Sequence, residues 1–420
     1  MKSEATQPVD LPAGPPGRFA SVYRLLDEAI ATRAFPGCAF GVLAGGEVVL
    51  QGARGRFTYE ENASAVTPET RYDVASLTKV MGTTAAAMLL YQRGLLDLET
   101  PLGDLLPGFV AGLGADDAAG PARQSNLAKR DGLAELNSPE KLNYRSKQDG
   151  PVGQEDQAKP HNLKGLRSQV RLHHLLAHNS GLPGYVEFFR MATTAEAALK
   201  ACQELPLEAE PGARAVYSDP GFILLGKAME ALTGEALDVW LQREIFQPLG
   251  LEATGFCPSV GERGSIPPTE EDSPLRHRRI QGEVQDENAW LLGGVAGHAG
   301  LFSSVGDLLR FSRVILAAAD RKGSERLFDA ATIEFFARRQ GPEGSSRALG
   351  WDTPSGNSSS GRHFSPHSIG HLGFSGCSLW MDLEAGIAVA LLTNRTWPDR
   401  QSQLIRAVRP AFHDAIRAAL

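Results

Sequence analysis

Ser76-Leu77-Thr78-Lys79 opens the strongest helical signal in the chain, an apolar run from Ala75 to Arg93 that Gly94 closes as a C′ residue. At this spacing the serine and lysine share one helix face. The serine also lies where backbone N–H groups and the helix dipole favour developing negative charge. A serine hydroxyl is a weak nucleophile until a nearby base takes its proton. Lys79 could be that base if its reference pKa of about 10.4 were depressed. The tetrad alone is weak evidence, because any helix start can contain it by chance.

Working outward, Phe19 to Arg33 carries apolar residues at helical spacing. Cys38–Leu43 and Val48–Leu50 flank the Gly45-Gly46 turn as a hairpin. Downstream, helical patterns cover Leu172–Ala177, Ala195–Gln203, Phe222–Leu232 and Leu237–Phe246. Two strands then flank Glu384-Ala385-Gly386, and an amphipathic helix runs from about Ser402 to Ala418. The predicted fold class is α+β: an antiparallel sheet built from both ends of the chain and flanked by terminal helices. An all-helical lobe, roughly residues 80–290, is inserted into it. Residues 1–17 read as a flexible tail and 18–420 as the catalytic unit. The polar stretch 110–168 has no apolar period and reads as a disordered insertion.

Two further segments could carry chemistry. Tyr217-Ser218-Asp219 precedes a helix; a phenol there could relay protons, whereas Ser218 or Asp219 could simply cap that helix. His371-Leu372-Gly373-Phe374-Ser375-Gly376 precedes the Cys377 strand. Gly373 would let a substrate approach the strand backbone, and the Phe374 N–H could join that of Ser76 in an oxyanion hole. A glycine-rich hairpin with a surface histidine is the alternative.

In this order, the three segments resemble the S-x-x-K, Y-x-N and K-T-G motifs of class C β-lactamases and low-molecular-weight penicillin-binding proteins. Leu175–Pro183, Asp286–Ala289 and Gly293–Ser303 are similar to further segments of these β-lactamase-related hydrolases. The likeness runs from about residue 19 to 420, apart from the polar insertion. It implies Ser76 as the acylated nucleophile, Lys79 as its activator and Tyr217 as a proton shuttle. His371 then takes the third-motif lysine's place, and Ser76 and Phe374 supply the oxyanion N–H groups. Asp219, Gly373 and Ser375 fall where substrate would bind. His298 and Asp286 match family segments without an assignable chemistry, and His298 is expected to be structural. His178 is expected at a helix C-terminus.

Three substitutions depart from the pattern. Asp219 replaces an asparagine that can donate, Leu372 replaces a threonine hydroxyl, and His371 replaces a permanent cation. These changes favour substrates without a free carboxylate, hence carboxylic esters or small amides. A D-alanyl-D-alanine carboxypeptidase or weak β-lactamase is the nearest rival, and a catalytically silent binding protein is the reading from another class. Asp219 is expected to pair with Lys79, leaving Tyr217 a larger share of proton transfer.

Other features exclude more than they assign. A net charge of −7 gives no reason to expect nucleic acid, and Arg276-His277-Arg278-Arg279 reads as a solvated loop. The four cysteines form no CxxC pair and read as buried free thiols. His173-His174 resembles half a zinc site, but adjacent residues point to different helix faces, so neither a metal nor an organic cofactor is expected. The sequence shows no membrane span and no apolar N-terminal leader, which predicts a cytoplasmic protein. The expected partner is a small ester, amide or peptide substrate; nothing sets the oligomeric state.

Overall fold

The computed structural model describes residues 17–111, 163–272, 274–320 and 327–420. The expected tail and most of the polar insertion lie outside these residues. Its ends do not: Gly108–Ala111 and Leu163–Arg167 are helical. Arg167 is fully buried, with its guanidinium over the Phe109 ring and its Nε donating to the Phe109 carbonyl.

The central sheet is antiparallel, with strand order β2-β1-β10-β9-β8. Its strands are β1 (Gly37–Ala44), β2 (Glu47–Gly55), β8 (Ser368–Leu372), β9 (Ser378–Asp382) and β10 (Ile387–Thr393). Both ends of the chain meet where β1 pairs with β10, Cys38 opposite Thr393 through Ala44 opposite Ile387. Side chains alternate across a strand. Phe40, Val42, Val389 and Leu391 accordingly pack beneath α1 (Ala20–Ala31) and the C-terminal helix Ile405–Ala419. Ala39, Leu43, Ala388, Ala390 and Leu392 face the other core with Leu308 and Leu309 of helix Val305–Ala319. A sheet covered on both faces reads as an unbroken apolar run, as β10 does. At Gly41 a Cβ would meet Val305 Cγ1 at 2.6 Å, so this position needs glycine for the helix to sit down.

The lobe expected to be all-helical also contains strands. β3 (Tyr72–Asp73), β7 (Leu301–Ser303) and β4 (Gly255–Phe256) form a small sheet, and β5 (Pro268–Asp272) pairs with β6 (Arg278–Gln281). In their basic turn His277, Arg278 and Arg279 are exposed, as expected of a solvated loop, and only Arg276 departs from that reading. The Arg276 side chain is buried, ion-paired with Asp272 at 2.5 Å and bonded to the carbonyls of Val284 and Gln285. Cys257 is exposed, unlike the other three free cysteines. His173 and His174, expected on different helix faces, lie side by side with their rings tilted and the centroids 4.0 Å apart. No helix among the described residues is long and apolar enough to cross a membrane.

Candidate active site

The helical run carrying Ser76 is not regular. Ala75–Leu77 forms a 3₁₀ turn, Lys79–Thr84 a π-helical stretch, and only Ala85–Gln92 is α-helical. Residues three apart eclipse in a 3₁₀ turn, and π segments collect at functional sites. Ala75 sits at φ 48°, a left-handed conformation costing a non-glycine residue about 1–2 kcal/mol. Asp73 holds it there: its Oδ1 accepts the Ala75 N–H at 2.8 Å. Thr78 locks the turn from the other side, donating to Ala75 O at 2.6 Å and accepting the Leu301 N–H at 3.1 Å.

Lys79 is fully buried, and its Nζ donates to Ser76 Oγ at 3.1 Å, Asp219 Oδ1 at 2.7 Å and the His298 carbonyl at 3.0 Å. Burial works to strip its charge, but Asp219 and Tyr217 outweigh it and raise the pKa above the ordinary lysine value. The expected Lys79–Asp219 ion pair is present. Tyr217 lies with its ring 4.9 Å beneath Nζ. Burial raises its pKa, so the phenol keeps its proton.

The Tyr217 segment is held by His178. This residue turns the chain at φ 55° just past helix Leu172–Leu176, in the expected position. Its carbonyl accepts the Val216 N–H, and its Nδ1 accepts that of Ser218 at 3.0 Å. Ser218 in turn caps helix Asp219–Thr233 through the Gly221 N–H.

His371 stands on β8, not in a surface hairpin, and is 3% exposed. Its Nδ1 lies 2.8 Å from the Leu372 carbonyl, so that nitrogen carries the proton, and the buried Nε2 is an acceptor without a hydrogen-bond partner among the described residues. Burial, then the charges of Lys79 and Arg347, push its pKa well below the ordinary range.

Two expected substrate contacts change meaning. A Cβ at Gly373 would meet the Val74 carbonyl at 2.5 Å, so this glycine lets the end of β8 dock against the Ser76 turn. Ser375 is fully buried and donates to the Asp73 carbonyl at 2.8 Å; its hydroxyl is committed to the frame.

Arg347 was not foreseen. Paired bridges, Arg347 with Asp352 and Asp352 with Gly370, lay its segment along the outer edge of β8. Its guanidinium comes to 5.2 Å from the Tyr217 ring centroid. A lone arginine after a polar loop carries no sequence signal for this placement. Asp73, three residues ahead of Ser76, was not foreseen either.

Comparisons with known proteins bear on the family of the chain. A family model described as Beta-lactamase matches residues 22–411. An N-acetylmuramyl-L-alanine amidase of Bacillus subtilis is 28% identical over 410 residues, covering 90% of this chain and 81% of that protein. A Salmonella typhimurium protein named "Putative D-alanyl-D-alanine carboxypeptidase" is 27% identical over 393 residues, covering 86% and 79%. The solved structure of EstCE1, described as a hydrolase with promiscuous acyltransferase activity, superposes with a TM-score of 0.64 at 20% identity, covering 94% and 98%.

Proposed function

Because the chain belongs to the Beta-lactamase family, whose members are serine hydrolases, we propose that it hydrolyses carboxylic esters or small amides through an acyl-enzyme on Ser76. The observation carrying this reading is the 3.1 Å contact between Lys79 Nζ and Ser76 Oγ inside a pocket that also holds Tyr217 and Asp219.

The resting site has no free base at the lysine, since three acceptors saturate its ammonium. Asp219 supplies the outlet. One Nζ proton moves to Asp219 Oδ1 across 2.7 Å, turning a buried ion pair into a neutral pair. The freed amine takes the Ser76 proton as Oγ attacks the carbonyl carbon, and the oxyanion falls to the N–H groups of Ser76 and Phe374. Tyr217, still protonated, donates to the leaving group and is reprotonated from Lys79. Water then hydrolyses the acyl-enzyme by the reverse relay.

Arg347 favours a second reading. It places a cation beside Tyr217 although the third motif lacks its lysine, and such a charge suits a substrate with a terminal carboxylate. On this reading the chain is a carboxypeptidase acting on D-alanyl peptides, as the Salmonella relative's name suggests for that protein.

Turnover of p-nitrophenyl butyrate, nitrocefin and a D-alanyl-D-alanine peptide, with wild type, Ser76→Ala and Arg347→Gln, separates the two. Ester turnover lost in Ser76→Ala and indifferent to Arg347→Gln supports the esterase. Peptide turnover with a KM raised by Arg347→Gln moves the assignment to the carboxypeptidase. Ester turnover surviving in Ser76→Ala would sink the acyl-enzyme altogether.

A further inference from the structure

Lys79 is held on three sides, and the third is not a motif side chain but the backbone oxygen of His298. That oxygen is fixed from behind. His298 is 1% exposed, and its Nε2 lies 2.9 Å from Asp286 Oδ1. A carboxylate only accepts, so Nε2 carries the proton. Nδ1 is buried with no hydrogen-bond partner among the described residues. Asp286 Oδ1 also accepts the Ala289 N–H at 2.8 Å. Burial pushes the Asp286 carboxyl upward, but the adjacent His298 overcomes it and holds the pKa at about 2.

The same support reaches the serine. Asp73 accepts the Ala75 N–H through Oδ1 at 2.8 Å and the Gln285 N–H through Oδ2 at 2.7 Å, tying the residue before Ser76 to the residue before Asp286. Nor can the loop carrying His298 slide. Thr83 Oγ1 donates to the Gly297 carbonyl at 2.7 Å, and a Cβ on Gly297 would meet the Phe222 carbonyl at 2.1 Å.

We propose that Asp73, Asp286 and His298 form a brace that fixes Lys79 against Ser76, with His298 and Asp286 as positioning residues for acyl transfer. This rests on the reading of Ser76 as the nucleophile. The physical need is plain. Asp219 draws the ammonium towards the cleft, and without an opposing acceptor Nζ would swing away from Ser76 Oγ. A carbonyl opposes that pull without adding charge, whereas another carboxylate would hold the lysine proton still more tightly. A displacement of about 1 Å at such a contact can reduce rate about 100-fold.

The test is the rate of Ser76 labelling by a fluorophosphonate probe, resolved into kinact and KI, for His298→Ala, Asp286→Ala and the double variant. Each single variant is expected to lose about 10- to 100-fold in kinact with KI within about twofold. The double variant is expected to be no slower than the worse single one, because the two residues act as one unit. If the alanine variants fold poorly, His298→Gln and Asp286→Asn repeat the cycle, with losses of about tenfold or less and the same lack of additivity. Wild-type kinact in either single variant, or losses that multiply in the double, would overturn the brace alone. A wild type that the probe does not label at Ser76 would overturn both the brace and the nucleophile assignment.

Discussion

Lys79 and His371 are two buried bases on either side of Tyr217, and the fold drives them to opposite charge states. Both lose hydration, which alone would leave each neutral. Lys79 stays charged because Asp219 lies 2.7 Å away and two uncharged oxygens complete its shell. His371 has no carboxylate; its nearest charges are the cations Lys79 and Arg347, which push its proton off. Burial works against charge in both groups, and the sign of the neighbour decides whether it prevails. The third motif's departure from lysine follows: a second ammonium there would sit beside both Lys79 and Arg347.

The largest effect should come from removing the charge that separates the two bases. Lys79→Ala is expected to lower kcat about 10²- to 10⁴-fold, the range for a lost general base. It should also let His371 titrate closer to an ordinary histidine, visible in the imidazole NMR shifts across pH 4 to 8. Unmoved imidazole shifts would break the comparison, because they would assign the neutrality of His371 to burial alone.

Asp219→Asn attacks the other half. Losing a contacting opposite charge shifts a pKa by about 1 to 3 units. Here the lysine pKa falls, so its neutral form appears at lower pH. In the wild type the pair passes the proton internally, whereas in Asp219→Asn only molecules whose Lys79 has already lost its proton can start the relay. The acid limb of kcat/KM should therefore move up in pH, while kcat falls because the proton outlet is gone. A profile that stays in place would mean that the ion pair does not govern the base.

His371→Gln sharpens the contrast. A group that is neutral throughout the working range contributes no ionisation to the profile. The variant should lose about tenfold or less in kcat, the worth of one hydrogen bond, with both limbs unmoved. A shifted limb would show that His371 titrates during turnover.

How much of this was legible follows the same division. The sheet could be read because its strands are local runs, β10 as unbroken apolar sequence and β1–β2 across Gly45-Gly46. Helix Val305–Ala319 was missed although Val305, Leu308, Leu309, Ser312 and Ile315 carry its period and are buried. Ser76, Lys79, Tyr217 and Asp219 lie together because their spacing is tied to helix starts. Arg347, the His298 carbonyl and Asp73 were beyond reach for a physical reason. A backbone oxygen has no residue signature, and Arg347 arrives through a two-bridge extension of β8 that pairs residues far apart in the chain. Sequence also could not reveal that Ser375 and Gly373 serve the frame, since that depends on where Asp73 and Val74 stop.

The smallest effect concerns stability rather than turnover, and it extends the contrast to a histidine outside the cleft. His413, on the C-terminal helix, is fully buried; burial, with a lesser push from Arg409, lowers its pKa to about 4, although its Nδ1 lies 2.7 Å from the Ser359 carbonyl. In the unfolded chain it would titrate near 6.5. As pH falls below that value, the unfolded chain takes up the proton first, so the folded state loses stability. The contribution is whole above about pH 6.5 and is lost progressively towards pH 4, up to about 3 kcal/mol by linkage. His413→Gln keeps a donor for the Ser359 carbonyl and removes the titration. Its melting temperature should therefore fall less steeply between pH 7 and 4 than that of the wild type. Parallel curves would mean that His413 takes up its proton at the same pH in the folded as in the unfolded chain, the Ser359 carbonyl and Asp414 offsetting its burial.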